Sequence, residues 1–591
     1  MSQLTIAKSL SWQDLRPELN AGLSTRSAIH FFTLQTRCAG ALRHFLADPQ
    51  SEVLMLKTDD VATYSPLLED FVRENIPQNE KILGVHYEIS QGDSFSFPHI
   101  TVAPAQSLAD NFAAQKRVAS ALYVDSFKLL GAVRIHPHSK DIQLKAGLVH
   151  QLNGGVLILS VAALLQQFDL WWRLKQILRS KQFDWYSAHP FKDLPCDIPS
   201  YPLSLKVILL GNREDLATFA ELETELYPWA AYSEVENYYW INELAQQQNW
   251  VNYVHGLTQQ QQIPPLTAEA INTLYQILVR DSEHRQLISI APQKISLILQ
   301  GSAAHSGQVA QLEATHIEAF YQQQLQQQGY LQQQTYADIL NEQVYVATDG
   351  EMIGQINGLS VIEYQGTPVV FGEPSRMSCL VQFGEGEIID IDRKNELAGN
   401  IHSKGMMIAQ SCLANILALP SQLPFSASLV FEQSYGEIDG DSASLASFCV
   451  LVSALAELPL PQSIAVTGSI DQFGLVHSVG GVNEKIEGFF TICQQRGLTG
   501  KQGVIIPSMV ISQLSLQQGV VDAVKNGEFF IYPVEDVYQA CEILFQRDLM
   551  EEDEKRYNED NQPIAHLIAK RIERSEQHNP KRHWLDFLFK K

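Results

Sequence analysis

Cations are scarce in this chain: 42 Lys and Arg stand against 66 Asp and Glu in 591 residues, a formal charge of −24. Phosphate neutralisation needs clustered Lys and Arg, so general nucleic-acid binding is excluded. Between Arg213 and Arg280 there is no Lys or Arg at all. Cysteine is also rare. The seven, scattered from Cys38 to Cys541, form no C-x-x-C or other metal-ligand spacing. No metal is therefore expected, and the thiols read as reduced core residues of a cytoplasmic protein. Long apolar runs are missing: stretches such as 155–165 are too short and too interrupted to span a bilayer, so no membrane association is expected. The N-terminus lacks the charged, apolar and small-residue parts of a signal peptide. Finally, G-x-x-x-x-G-K-[ST], the loop whose backbone cradles nucleotide phosphates, occurs nowhere.

What remains is an ordinary globular composition, 45% hydrophobic and 18% charged, long enough for two to four domains. Apolar β-branched runs at 53–56, 155–159 and 205–210 alternate with helical patterns, as in α/β proteins, and delimit a first module over 1–260. Residues 261–340 read as helical and contain a glutamine-rich connector from Tyr321 to Gln334. From Val344 onward, short strands with glycine turns, a helical block and further strands predict a compact α+β domain over 341–545. The charged segment 546–591 is expected to be a mobile or peripherally docked tail.

Two segments of the third region carry chemistry. After Gly440-Asp441-Ser442-Ala443-Ser444, residues Ser442, Leu445, Ala446 and Cys449 fall on one helical stripe. After Gly480-Gly481, residues Val482, Lys485, Ile486, Phe489 and Cys493 do the same, with Glu484 and Glu487 pointing elsewhere. An ammonium is costly to desolvate, so burial favours a neutral amine that can take a proton from a serine hydroxyl. Each residue also has a plainer reading. Asp441 or Ser442 would cap the following helix, Lys485 would snorkel to solvent, and Thr467, Asp439 and Asp441 would serve in turns. On the functional reading, Gly440 admits a reacting carbonyl close to the backbone. Thr467 bonds the lysine nitrogen, and Asp439 or Asp441 holds Lys485 in an inactive ion pair. A different serine mechanism treats 440–444 as a G-x-S-x-G elbow with His477 as base, but the fifth position is Ser444 and His477 precedes an exposed turn.

The spaced motifs resemble the Lon-type proteases, specifically the archaeal-like LonB branch. Phe431-Glu432-Gln433-Ser434-Tyr435 with Asp439-Gly440-Asp441-Ser442-Ala443-Ser444 matches the family's nucleophile region. Thr467-Gly468-Ser469 and Gly480-Gly481-Val482-Asn483-Glu484-Lys485 follow in the family's order, and so, upstream, do Gly354-Gln355-Ile356-Asn357-Gly358-Leu359, Phe371-Gly372-Glu373-Pro374-Ser375-Arg376 and His402-Ser403-Lys404-Gly405. The resemblance implies a Lon protease fold over 341–545, Ser442 as nucleophile, Lys485 as general base and a ring-shaped homo-oligomer, such as a hexamer.

By the same resemblance, the first half has the outline of an AAA+ module with a helical lid, but not its chemistry. The loop after the first strand, Lys57-Thr58-Asp59-Asp60, has no glycines, and its carboxylates repel a polyphosphate. Where an acidic pair should follow the strand at 156–159 to hold magnesium, the chain has Ser160 and Val161. The span without Lys or Arg leaves few candidates for an arginine finger. The expectation is a degenerate module needing no cofactor, and a serine endopeptidase that cleaves peptides or unfolded proteins without ATP hydrolysis. Two alternatives stay open: a catalytically silent ring-forming scaffold or adaptor, and an ATP-dependent protease with a non-standard nucleotide site.

Overall fold

Alternate residues of one short run feed two different cores. Strand β1 (Val53–Lys57) sends Leu54 and Leu56 into one hydrophobic cluster and Val53 and Met55 into another, as the period-2 alternation of strand side chains requires. It pairs in parallel within a five-stranded sheet made with β2 (Val118–Ala121), β3 (Val156–Ser160), β4 (Lys206–Gly211) and β5 (Ala231–Glu234), in the order β5-β1-β4-β3-β2. A parallel sheet is covered on both faces, which is why its strands read as continuous apolar runs. In this computed structural model, the described residues are all but 1–7, 21, 24–26, 79–80, 94–95, 188–192, 421, 435–437, 552–554, 556, 559–560 and 578–591.

Helix α1 (Val61–Asn75) follows β1. The helical region contains α2 (Leu244–Gln260), α3 (Ala268–Ser282), α4 (Pro292–Ser306), α5 (Ala314–Gln328) and α6 (Tyr330–Leu340). Thr267 starts α3 by accepting the Ala270 N–H at 3.1 Å. Trp250, Leu274 and Leu299 share one buried cluster with Leu54 and Ile158 of the sheet and with Leu68 and Phe71 of α1, so the helical region and one face of the sheet have a common core.

The third region is built on a seven-stranded mixed sheet of β6 (Gln355–Glu363), β7 (Val370–Gly386), β8 (Ile388–Asp390), β9 (Leu423–Phe431), β10 (Ile464–Val466), β11 (Gln502–Pro507) and β12 (Phe529–Val534). The order is β8-β9-β7-β6-β10-β11-β12, antiparallel at β9-β7 and β7-β6 and parallel elsewhere. Against it pack α7 (Asn400–Ile416), α8 (Ser444–Ala456), α9 (Val482–Arg496), α10 (Val537–Phe545) and α11 (Ile564–Gln577). Helix α8 is apolar on all sides and is accordingly central, with Phe448, Val450, Leu451 and Val452 all buried.

Packing departs from the expected divisions at both ends of the chain. The start of the first module docks on the third region: Leu10 N–H donates to Ile531 O at 2.8 Å, and Leu15 is buried in the cluster of Val482 and Phe489. Leaving Leu15 in water would forfeit about 2 kcal/mol of apolar burial. The tail is docked through helix α11. Ile564 and Ile568 enter the α8 core, and Arg571 donates to the Ala454 and Leu455 carbonyls at 3.1 and 2.7 Å. Those carbonyls belong to the last turn of α8, which has no intrahelical donors left for them. The tail beyond Gln577 and the motif residue Tyr435 lie outside the described residues. All seven cysteines are free, and six of them are buried. Among the described residues no helix is long and apolar enough to cross a membrane.

Candidate active site

The turn before α8 is tied down by Ser444 rather than Ser442. Ser444 Oγ donates to Asp441 O at 2.8 Å and accepts the Ile470 N–H at 2.9 Å. Helix α8 takes Ala443 as its N-cap, with no side-chain cap. Neither Asp441 nor Ser442 caps α8; the Ser444 hydroxyl instead ties the turn to Asp441 O and to Ile470. Ser442 Oγ makes no hydrogen bond among the described residues. Its carbonyl, by contrast, is held: Gly468 N–H donates to it at 2.8 Å and Thr467 Oγ1 at 3.4 Å. Gly440 adopts φ 115°, a conformation that disfavours a side chain. A Cβ there would meet nothing within 4 Å, so the backbone on this side is open. The N–H groups of Gly440, Asp441 and Ser442 find no acceptor among the described residues.

Lys485 lies on α9 and is 4% exposed. The expected stripe is present, since Val482, Ile486, Phe489 and Cys493 are all buried beside it. Snorkelling is thus ruled out. Its Nζ donates to Thr467 Oγ1 at 3.3 Å, so one hydroxyl touches both the lysine amine and the Ser442 carbonyl. Among the described residues no carboxylate pairs with the amine within 4 Å. Burial pushes its pKa down to about 8, against the opposing pull of Glu283, Asp441 and Glu484.

Close backbone contacts fix where α9 runs. A Cβ on Gly372 would lie 2.0 Å from Glu484 O, and one on Gly488 would lie 2.2 Å from Gly372 O. Helix α9 and strand β7 thus touch backbone to backbone across Lys485. Gly481, the α9 N-cap at φ 63°, leaves no room either, since a Cβ would stand 2.4 Å from Val361 Cγ2.

The two aspartates serve different places. Asp439 Oδ1 accepts the N–H groups of Ile401 and His402 at 3.2 and 3.4 Å, capping α7 from a distant segment. Asp441 Oδ2 accepts Ser469 Oγ at 2.9 Å. Neither forms the ion pair with Lys485 that the sequence left open. His477 is about half exposed and faces Asp471 at 3.3 Å across its own hairpin, away from any role as base for Ser442.

Composition and spacing did not single out two further residues beside the site. Arg280, on α3, reaches Glu484 at 2.9 Å and Glu487 at 2.5 Å. Glu283, just past the end of α3, accepts the Gly481 N–H at 2.7 Å. Glu487 therefore points away from the Lys485 stripe, as expected, but into a buried contact rather than to solvent. The one available signal was that Arg280 ends the span without Lys or Arg.

At the corresponding position of the first half, the turn after β1 is filled by its own side chains. Lys57 pairs with Asp59 at 2.6 Å, and Asp60 caps α1 by accepting the Thr63 N–H and hydroxyl at 3.1 and 2.6 Å. A helix N-terminus that holds phosphate elsewhere is here satisfied by a carboxylate. Strand β3 ends on Ser160, and Val161 begins the next helix.

Known proteins bear on this arrangement in three ways. The model of the LonB-like AAA domain matches residues 126–228. The model of the Lon protease (S16) C-terminal proteolytic domain matches residues 436–546. Relatives match over far more of the chain. A Lon protease homologue of Haemophilus influenzae is 62% identical over 98% of this chain and 96% of its own length. One from Escherichia coli is 43% identical over 92% of each. An archaeal Lon protease of Methanocaldococcus jannaschii is 30% identical over 34% of this chain and 29% of its own. With a Lon proteolytic domain matched in place and near-full-length relatives of this identity, the chain belongs to the Lon protease family.

Proposed function

We propose that the protein is a serine endopeptidase that cleaves peptides or unfolded proteins through a Ser442–Lys485 dyad, without ATP hydrolysis. One observation carries this reading: a buried lysine amine that, among the described residues, has no carboxylate within 4 Å and is joined through Thr467 to the carbonyl of a serine whose hydroxyl makes no hydrogen bond. Neutral Lys485 takes the proton from Ser442 Oγ as the oxygen attacks the peptide carbonyl. The oxyanion gathers on the unengaged N–H groups of Gly440, Asp441 and Ser442. Collapse expels the amine, which takes the proton back from Lys485. Water then attacks the acyl-enzyme with Lys485 accepting its proton, and as the acyl–oxygen bond breaks Lys485 returns that proton to Ser442 Oγ, releasing the acid and restoring both side chains. Asp441 contributes by setting the turn through Ser469, and Asp439 by joining that turn to α7.

The AAA-like half serves in this reading as an assembly platform or substrate gate of a cytoplasmic homo-oligomer, as a hexameric ring would require. Its carboxylate-filled β1 turn argues for function without bound nucleotide. Without a hydrolysis-driven stroke, stable folds are poor substrates. The test is cleavage of casein and a fluorogenic peptide with and without ATP–Mg²⁺, run beside Ser442→Ala. Nucleotide-independent cleavage that Ser442→Ala abolishes is expected. Strict dependence on ATP would replace this reading with a powered protease, and silence under every condition would replace it with a scaffold.

A further inference from the structure

The proposed base is addressed from outside its own region. Helix α3 ends at Glu283, which adopts a left-handed conformation, φ 50°. That turn throws the carboxylate onto the first turn of α9, where Oε1 accepts the Gly481 N–H at 2.7 Å. A Cβ on neighbouring Gly480 would lie 3.8 Å from Oε2. Gly481 is the N-cap of α9, and a residue remote in sequence accepts its N–H, as an N3 carboxylate does in a capping box, and places negative charge at the positive end of α9. One turn back on α3, Arg280 fastens the same helix through Glu484 and Glu487, and donates to Ser515 O at 3.1 Å.

Three carboxylates act on the Lys485 amine: Glu283 from the end of α3, Asp441 from the turn before α8, and Glu484 from α9 itself. Glu283, the one contributed by the helical region, pulls the most strongly of the three. We infer that Glu283 is a positioning residue of the dyad, through which the docked helical region fixes the first turn of α9 and tunes the base from outside the protease domain. The inference takes Lys485 as the base, as proposed above. Two effects then separate. The hydrogen bond places the helix turn. The charge favours the ammonium and so holds back the neutral form that accepts a proton.

Glu283→Gln keeps an acceptor and removes the charge, whereas Glu283→Ala removes both. Glutamine suits this backbone, as Gln546 occupies the same left-handed region at φ 53°. The experiment measures kcat/KM against pH for the full chain with a fluorogenic peptide, beside Ser442→Ala. It also measures modification of Lys485 by an amine-directed reagent against pH, read by mass spectrometry. For Glu283→Gln, the rising limb should move to lower pH, with about a threefold gain near neutrality and an unchanged alkaline plateau. The amine should become reactive at correspondingly lower pH. Glu283→Ala should instead lower the plateau about tenfold, because the turn is no longer held. An unmoved limb and unmoved amine titration in Glu283→Gln would overturn the inference. Absence of any Ser442-dependent cleavage would overturn the peptidase reading alone, since the amine titration still decides whether Glu283 acts on Lys485.

Discussion

The turn after β1 and the turn after β10 sit at comparable places, each at the end of a fully apolar strand, and they are furnished in opposite ways. After β1, Asp59 and Asp60 are engaged by Lys57 and by the cap of α1. After β10, Thr467 reaches Lys485 and the Ser442 carbonyl, while the Ser442 hydroxyl stays unengaged. Yet the strands beneath are equally well buried: Leu54 and Leu56 on one side, Ala465 and Val466 on the other. The stability of each sheet resides in strand interiors, whereas chemistry resides in the turns beyond them. A module can therefore keep its packing whatever its turns carry, because a few exposed side chains contribute little to the core.

The sharpest way to break this comparison is at Lys485. Lys485→Met keeps the unbranched stem and removes the amine, so peptide cleavage should fall by about 10³-fold. Thermal stability should hold or rise, since a desolvated amine is replaced by an apolar group. In the unaltered protein, cleavage should increase with pH through about 8, because Lys485 must lose its proton before it can act and its pKa lies there. A rate that is flat from pH 6 to 9, or a Met variant within tenfold of the parent, would show that the second turn is as idle as the first. A smaller effect is expected at Gly372. A Cβ there would sit 2.0 Å from Glu484 O, so Gly372→Ala must push α9 away from β7 and carry Lys485 with it. Displacements of that order cost about 10²-fold in rate. The fall should appear in kcat, with far-ultraviolet circular dichroism unchanged.

The same contrast governs what was legible in the sequence. The run Val53-Leu54-Met55-Leu56 announces a doubly buried strand, because its composition and its burial express one property. Lys485 was legible for the opposite reason: it breaks an otherwise apolar stripe, and a broken pattern calls for an explanation. Ser444 was hidden because which of two nearby serines anchors a turn depends on the position of Ile470, a partner fixed only in three dimensions. Asp439 capping α7, and Arg280 with Glu283 clasping α9, span 37 residues or more of chain. No periodicity records such pairs. For the tail, composition left mobile and docked open: charges dominate it, yet Ile564, Ile568 and Ile572 recur at helical spacing and pack on the α8 core.

The smallest expected effect is also the one that tests the first half directly. Adding ATP–Mg²⁺ should change neither the cleavage rate nor the melting temperature, and titration calorimetry should show no heat at micromolar nucleotide. Binding to the native state at a hundred times Kd would stabilise it by about 2.7 kcal/mol, a visible shift. The reason for expecting none is electrostatic as well as steric. A triphosphate entering the β1 turn would meet Asp59 and Asp60 in a loop without glycine, and the Thr63 N–H at the start of α1 is already taken by Asp60. Replacing both aspartates, as in Asp59→Asn with Asp60→Ser, removes the repulsion and keeps a capping hydroxyl. That variant should still bind no nucleotide, because the glycine-bounded cradle is missing along with the charge balance. Nucleotide binding by the double variant but not the parent would reassign the loss to charge alone. Binding by the parent would mean that the two turns differ far less than their side chains imply.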